Sequence, residues 1–385
     1  MDRYTMAQSV RRLLDHIDNN TTESAPSVMR MPIGRYFDAS IASAERQYIF
    51  SRSPFVAAHS GELPRAGDFI TTEYLGIPLL LVRQEDNSVS ALINVCRHRG
   101  GRVEFDKRGT RGQFICSYHG WCYGQDGKLK NLSFPEGYPG VGSLGNSMTS
   151  LPVDERYGLI WVSPTPGYEL SMASNLGHEL NDNIIASGLG TAVLYREHRW
   201  ELGMNWKLVM DGFLDTQHLG FLHPQTVGPS FYPNVHVLDS FGKNTRLVVP
   251  RRTIKQARGK DDEKELRKHV GCNITVYPAT IITIVPRHFE IWTISPHASD
   301  VAKCNVVLRL LVNDTSMSEL EIQSREDDWS NLLNAISNED WPMAQSIQDG
   351  LPRAHMAETL YGRNELPAQV FYGQIQRDLD AASGN

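Results

Sequence analysis

The feature that most narrows what this chain can fold into is a pair of short, ligand-bearing turns. The first reads Cys96-Arg97-His98-Arg99-Gly100-Gly101 and the second Cys116-Ser117-Tyr118-His119-Gly120-Trp121, with 17 residues between His98 and Cys116. Each turn follows a run of strand-forming residues and offers one thiol and one imidazole. Gly100, Gly101 and Gly120 let the backbone fold close around a bound ion. Zinc sites usually pair Cys with Cys and His with His along the chain. Here each turn supplies one ligand of each kind. A [2Fe–2S] cluster with two cysteines on one iron and two histidines on the other matches this interleaving. Zinc is the alternative, and a colourless purified protein would favour it.

These turns, with Gly120-Trp121 after the second histidine, resemble the Rieske domain of ring-hydroxylating oxygenases. The resemblance implies a Rieske [2Fe–2S] cluster on Cys96, His98, Cys116 and His119. Respiratory-type Rieske domains carry an extra cysteine in each ligand loop, and the two pair as a disulfide. The neighbouring positions here are Arg97, Gly101 and Tyr118, which points to the soluble oxygenase branch. Five cysteines in 385 residues do not make a disulfide scaffold. Cys122, Cys272 and Cys304 are expected as buried structural residues.

A second constellation lies in residues 205–224, NWKLVMDGFLDTQHLGFLHP. The pattern predicts a helix over 205–223. His218 and His223 are five apart, a spacing that does not share a helix face. Gly220 and Pro224 suggest that the helix distorts or ends between them, so that both can point at one ion. Two imidazoles plus one carboxylate form the facial triad of non-haem Fe(II) oxygenases. Two histidines alone are weak evidence. With the cluster motif upstream, Asp211-x3-Asp215-x2-His218-x4-His223, preceded by Asn205-Trp206-Lys207, resembles the mononuclear iron site of the same oxygenases.

The resemblance, running from about residue 45 to the end, implies mononuclear Fe(II) on His218, His223 and a distant carboxylate. In NEDWPMAQSIQDGL that carboxylate is Asp340, with Glu339 the near alternative. Asp340 also reads as an acid favourable to the helix dipole just before Pro342. Asp215 is implied as a bridge from a Rieske histidine, His119, of one subunit to His218 of its neighbour in a head-to-tail homotrimer. A carboxylate that accepts the second ring N–H fixes tautomer and orientation. Asp211 is implied beside the iron.

The expected class is α+β: an all-β Rieske domain inserted ahead of a helix-grip (START-like), antiparallel-sheet catalytic domain. The expected boundaries are 1–45 for an N-terminal helical segment packing on the catalytic domain, 46–165 for the Rieske domain and 166–385 for the catalytic domain. Val10, Leu13, Leu14 and Ile17 recur at helical spacing. Residues 20–35 read as a linker, and 257–268 as a solvated face or mobile loop. Residues 246–256 read as strand. Residues 273–296 read as strands forming an apolar pocket wall, with Phe213 and Leu214 facing the same space. Tyr277, Phe289, Trp292, Phe371 and Tyr372 are candidates for an aromatic cage, and Arg287 and His288 for anchors of an acid.

Lys and Arg number 38 against 44 Asp and Glu, so no basic surplus serves nucleic acid. No apolar run approaches a membrane span, and no secretion signal opens the chain. A cytoplasmic protein is expected. No GxGxxG motif follows a strand, so a separate flavin/iron–sulfur reductase, with or without a ferredoxin, is implied. The resemblance implies a terminal oxygenase that uses O2 to hydroxylate, dihydroxylate or oxidatively dealkylate a small aromatic or hydrophobic molecule. One alternative is demethylation of a quaternary amine such as betaine or carnitine, which would call for the cage. Another is a Rieske electron-transfer or ligand-binding protein without a working mononuclear iron.

Overall fold

Short runs of Val, Ile and Leu broken by Gly and Asn turns favour small antiparallel sheets, and three of these build the unit Phe50–Met172. The computed structural model describes residues 1–141, 145–313 and 317–384. One sheet orders Ser150–Leu151, Val89–Ile93, Ile77–Arg83, Asp68–Tyr74 and Arg108–Thr110. A second joins Val153–Arg156, Leu159–Val162 and Phe55–His59. The third joins Gln113–Ile115, Cys122–Gly124 and Leu129–Asn131. Phe69, Leu80, Phe114, Trp121 and Tyr123 pack into one core with Cys96 and Cys116. The ligand turns thus rest on close-packed side chains.

The other unit joins Met1–Ile49 to the chain from Ala173 onward. Its centre is a seven-stranded antiparallel sheet. In chain order the strands are β1 (Val193–Leu202), β2 (Val237–Phe241), β3 (Asn244–Pro250), β4 (Val270–Val276), β5 (Thr280–Ile284), β6 (Phe289–Pro296) and β7 (Cys304–Val312). Their spatial order is β1-β7-β6-β5-β4-β3-β2. The helices that matter here are α1 (Arg3–Asn19), α2 (Trp206–Leu214), α3 (Glu319–Ala335), α4 (Trp341–Gly350) and α5 (Leu366–Ser383). Helix α2 packs on β6, α4 and α5. This is the helix-grip, antiparallel α+β arrangement expected from the sequence.

The Asn205-Trp206-Lys207 triplet anchors α2. The Asn205 side chain accepts the Lys207 N–H at 3.1 Å and caps the helix. Trp206 Nε1 and Lys207 Nζ both donate to Glu45, at 3.0 and 2.8 Å. Lys207 and Glu45 are fully buried, so the charges depend on each other.

Four local expectations need correction. The helix from 205 stops at Leu214, ahead of both histidines, because Asp215 turns to extended dihedrals while its N–H still bonds the Asp211 carbonyl. Residues 20–35 are not simply a linker: Met29–Pro32 pairs antiparallel with Glu358–Tyr361, a partner that no local pattern announces. The segment 257–268 contains a short helix, Glu263–Arg267, capped by Asp262 and pinned by the buried Leu266 against α1. The strand expected over 246–256 ends at Pro250, where a proline stops the ladder. Among the described residues no helix is long and apolar enough to cross a membrane.

Candidate metal centres

The two ligand turns share one hydrogen-bond scheme. Cys96 N–H donates to the Gly101 carbonyl at 2.7 Å, and Gly100 N–H donates back to the Cys96 carbonyl at 3.0 Å. Cys116 N–H and the Trp121 carbonyl, with Gly120 N–H and the Cys116 carbonyl, repeat this at 2.9 Å each. Closing the loop needs positive φ at Gly100 (78°) and Gly120 (70°). At Gly120 a Cβ would also lie 2.3 Å from Ser133 Oγ, so any side chain there would be strained and would displace Ser133.

Both thiols are buried, and the His98 and His119 rings stand 4.6 Å apart. Trp121 stacks on His98 at 5.0 Å. Tyr123 Oη lies 3.3 Å from Cys96 Sγ and accepts the Arg97 N–H at 3.0 Å. Burial, with the Cys96 thiol beside it, pushes the Cys116 thiol up from its ordinary value. His119 Nε2 meets Arg99 Nη2 at 2.8 Å, while its Nδ1 is buried with no hydrogen-bond partner among the described residues. A buried, unpaired ring nitrogen is costly unless a ligand takes it. Two buried thiols and two adjacent imidazoles, one with such an orphaned nitrogen, fit a cluster with mixed sulfur and nitrogen ligation.

In the other unit His218, His223 and Asp340 offer one ligand atom each, all within 4.8 Å of one another. Asp340 Oδ1 lies 3.0 Å from His223 Nε2 and 3.8 Å from His218 Nε2. The outer ring nitrogens are held by carboxylates. His218 Nδ1 lies 3.3 Å from Asp215 Oδ2, and His223 Nδ1 lies 2.5 Å from Glu339 Oε2. The two candidates for the distant carboxylate therefore divide: Asp340 joins the inner Nε2 atoms, and Glu339 holds His223 from behind. Two imidazoles and a carboxylate, each imidazole oriented by a second carboxylate, fit Fe(II).

Local chain geometry explains the convergence. Asp215 accepts the Gln217 and His218 N–H groups at 2.6 and 3.2 Å, a turn that starts the short 3-10 segment His218–Gly220. Residues Ile336–Asp340 form one wide π-type turn between α3 and α4, which brings the adjacent Glu339 and Asp340 to one imidazole. Burial works against ionisation of Asp215, but its bonds to His218 hold it below the usual carboxylate range.

Asp211 behaves differently. It lies on α2 and on the wall of the same cavity, and it turns to three tyrosines rather than to the histidines. Tyr372, Tyr361 and Tyr36 donate to it at 2.8, 3.2 and 3.4 Å. Full burial pushes its carboxyl up to about 7, and the tyrosine bonds limit the rise.

The triad opens onto a cavity of about 890 Å³. Trp292 and Phe213 line it, their rings 5.1 Å apart. Tyr277, Phe289, Phe371 and Tyr372 are buried elsewhere and Leu214 packs into the core, so the expected cage does not form from them. The expected apolar wall is also interrupted. Asn273, Thr283 and Glu290 stand opposite one another on β4, β5 and β6 and all line the cavity. Arg287 binds Ser324 at 2.6 Å and Asp328 at 3.3 Å, and His288 binds Glu290 at 3.1 Å. The polar row takes one residue from each of three strands, so no pattern along any single strand marks it. The tyrosine cluster carried no local signal.

Comparison with known proteins now defines the class: the chain belongs to the ring-hydroxylating oxygenase α-subunit family. The family described as "Ring hydroxylating alpha subunit (catalytic domain)" matches residues 189–381, about half the chain, and the Rieske [2Fe-2S] domain matches residues 53–141. The chain is 30% identical over 191 residues to the biphenyl 2,3-dioxygenase subunit alpha of Rhodococcus jostii (strain RHA1), covering 48% of this chain and 41% of that one. It is 28% identical over 205 residues to the carnitine monooxygenase oxygenase subunit of Escherichia coli (strain K12), covering 50% and 52%. The matches thus span about half the length of these curated relatives. The fold resembles the quaternary ammonium Rieske monooxygenase CntA in complex with L-carnitine, with TM-score 0.78 at 19% identity over 92% of this chain and 96% of that one. Naphthalene 1,2-dioxygenase from Rhodococcus sp. bound to indole gives TM-score 0.73 at 18% identity over 97% and 98%.

Proposed function

We propose that this protein is the terminal oxygenase component of a Rieske non-haem iron system, acting on a small aromatic or hydrophobic molecule with O2. The observation that carries the reading is the triad His218, His223 and Asp340, braced from behind by Asp215 and Glu339 and facing a cavity. In this reading Cys96, His98, Cys116 and His119 hold the cluster, and the triad holds iron. When bound, these groups supply single-electron transfer and O2 activation.

The chain's own residues do the rest. Asp215 and Glu339 keep the outer Nδ1 atoms protonated, which directs both Nε2 atoms inward. Trp292 and Phe213 give an aromatic guest a slot beside the triad. Residues 46–165 form the electron-accepting domain, and 1–45 with 166–385 the catalytic one. The partner is a flavin/iron–sulfur reductase, with or without a ferredoxin, in the cytoplasm. The assembly is a head-to-tail homotrimer in which Asp215 bridges His218 to His119 of the partner subunit. Demethylation of a quaternary amine is less well supported, because the candidate cage residues other than Trp292 lie off the cavity.

The test is metal and sulfide analysis with EPR, then O2 uptake with a surrogate reductase across an aromatic substrate panel. A full cluster without additional mononuclear iron would leave an electron-transfer protein. A colourless protein containing zinc would remove the cluster. Product mass separates gain of one oxygen from gain of two oxygens with two hydrogens, and formaldehyde release marks dealkylation.

A further inference from the structure

Within the oxygenase reading, on which this step rests, we propose that Arg251 anchors the carboxylate of an aromatic acid. The substrate class then narrows to ring systems that carry a carboxylate.

Arg251 is the first residue beyond β3, and its backbone is fixed in two ways. Its N–H donates to the His269 carbonyl at 2.9 Å, and it bridges to Phe231. Alternation along the strand places it on the same side as Leu247 and Val249, and all three line the cavity. The guanidinium lies over the Phe231 ring, 5.2 Å from its centroid. That ring in turn rests on Gly271, where a Cβ would come within 3.2 Å of it. Gly271 therefore clears the place for the platform that holds the cation.

What this cation lacks is a counter-charge. Among the described residues Arg251 forms no ion pair, and its Nε is buried with no hydrogen-bond partner. Burial pulls its pKa down from the ordinary arginine value, with Asp328 opposing that. Asp328 is already shared by Arg287 at 3.3 Å and Arg325 at 3.6 Å. The other acid on this wall, Glu290, takes the Trp292 N–H at 3.0 Å and His288 at 3.1 Å. Three guanidinium groups thus gather around one carboxylate, and two of them, Arg251 and Arg287, line the cavity. Arg287 is held by Ser324 and Asp328, so Arg251 is the one with a donor to spare.

Neutral hydrogen-bonding groups stand on the same wall. Asn273 and Thr283 face each other across β4 and β5, and Thr283 Oγ1 is buried without a partner. An arginine fork matches a carboxylate in two parallel bonds, and a half-buried unpaired guanidinium favours an anion over a neutral guest. A quaternary ammonium would meet this charge with repulsion. The aromatic pair Phe213 and Trp292 gives the ring of the acid its slot in the same cavity.

The experiment measures binding on metal-loaded protein, so that it judges Arg251 without requiring turnover. Benzoate, phthalate, terephthalate and phenylacetate are titrated calorimetrically beside their neutral amides and phenyltrimethylammonium. We expect at least one acid to bind about tenfold or more tightly than its amide, the scale of a hydrogen-bonded charge. Arg251→Ala should abolish that preference with amide binding retained, and Arg251→Lys should keep part of it. Cluster absorbance and circular dichroism check that the variants fold, and Thr283→Val gives a second variant with a smaller expected loss. Equal binding of acids and amides by the wild type overturns the proposal, as does an acid preference that survives Arg251→Ala or a preference for the ammonium probe. O2 uptake on neutral aromatics alongside such a result would leave the oxygenase reading standing. A protein that prefers acids through Arg251 but holds no mononuclear iron would retain this site and lose that reading.

Discussion

The two metal centres use histidine in opposite ways. In the cluster unit His119 has Nδ1 buried and unpaired, with Arg99 on its other nitrogen. In the iron unit both outer nitrogens meet carboxylates, Asp215 and Glu339. The first site sets a cation beside His119 and leaves a ring nitrogen for its inorganic partner. The second holds its imidazoles in place before any ion arrives. A carboxylate behind an imidazole raises its basicity and fixes its tautomer. An arginine can only donate, so it makes the nitrogen it meets an acceptor and lowers the basicity of the ring, and it suits a centre whose own sulfides carry negative charge. The difference predicts that loss of the cluster should loosen its turns, whereas loss of iron should leave His218, His223 and Asp340 close together.

The largest effects come from breaking each side separately. Cys116→Ala should remove the cluster, its visible absorbance and all turnover, with mononuclear iron retained. Asp340→Ala should do the reverse: cluster intact, mononuclear iron gone. Metal and sulfide analysis of the two variants should give crossed patterns. Full iron in Asp340→Ala, with loss in Glu339→Ala instead, would exchange the two acids between inner and outer positions.

Asp215→Asn comes next. Both metals should remain while turnover drops to near background, because its proposed task is to connect subunits as well as to orient His218. Single-turnover measurement of cluster oxidation separates this from iron loss. Wild-type turnover in that variant would remove the bridge. Glu339→Gln should be milder, weakening iron affinity by about 10- to 100-fold, the usual scale for a group that orients a ligand. Equilibrium dialysis against a chelator reads this directly.

How much of this was legible in the chain depended on distance along it. All four candidate cluster ligands fall between Cys96 and His119 in local turns, and glycines at the tight positions mark them. His218 and His223 were visible, but the end of their helix was not. Asp215 looks the same in a helix as in the turn that replaces it, and its side-chain bonds to residues 217 and 218 decide between them. Asp340 depended on motif context, because the wide turn that delivers it has no compositional mark. Met29–Pro32, Tyr36 and Arg251 were misread or missed because their partners at 358–361, 211 and 231 are brought near only by the sheet and the chain ends.

The smallest expected effect concerns Asp211, the acid that joins neither metal set. Tyr36 comes from the N-terminal segment, Tyr361 from a short strand and Tyr372 from α5, so this carboxyl ties both chain ends to the helix that leads into the histidines. Its folded pKa of about 7 lies above that of an unfolded aspartate. Between about pH 4 and 7 the folded protein therefore holds a proton that the unfolded chain has lost. Stability from this group is fully present below the unfolded value and declines as pH rises through 7, by at most about 1.4 kcal/mol per pH unit in that window. Asp211→Asn keeps an acceptor for the tyrosines and removes the titration. Urea midpoints measured from pH 5 to 8 should fall less steeply in that variant than in the wild type. Identical slopes would mean that Asp211 stays ionised throughout, and that the three tyrosine hydroxyls offset its burial.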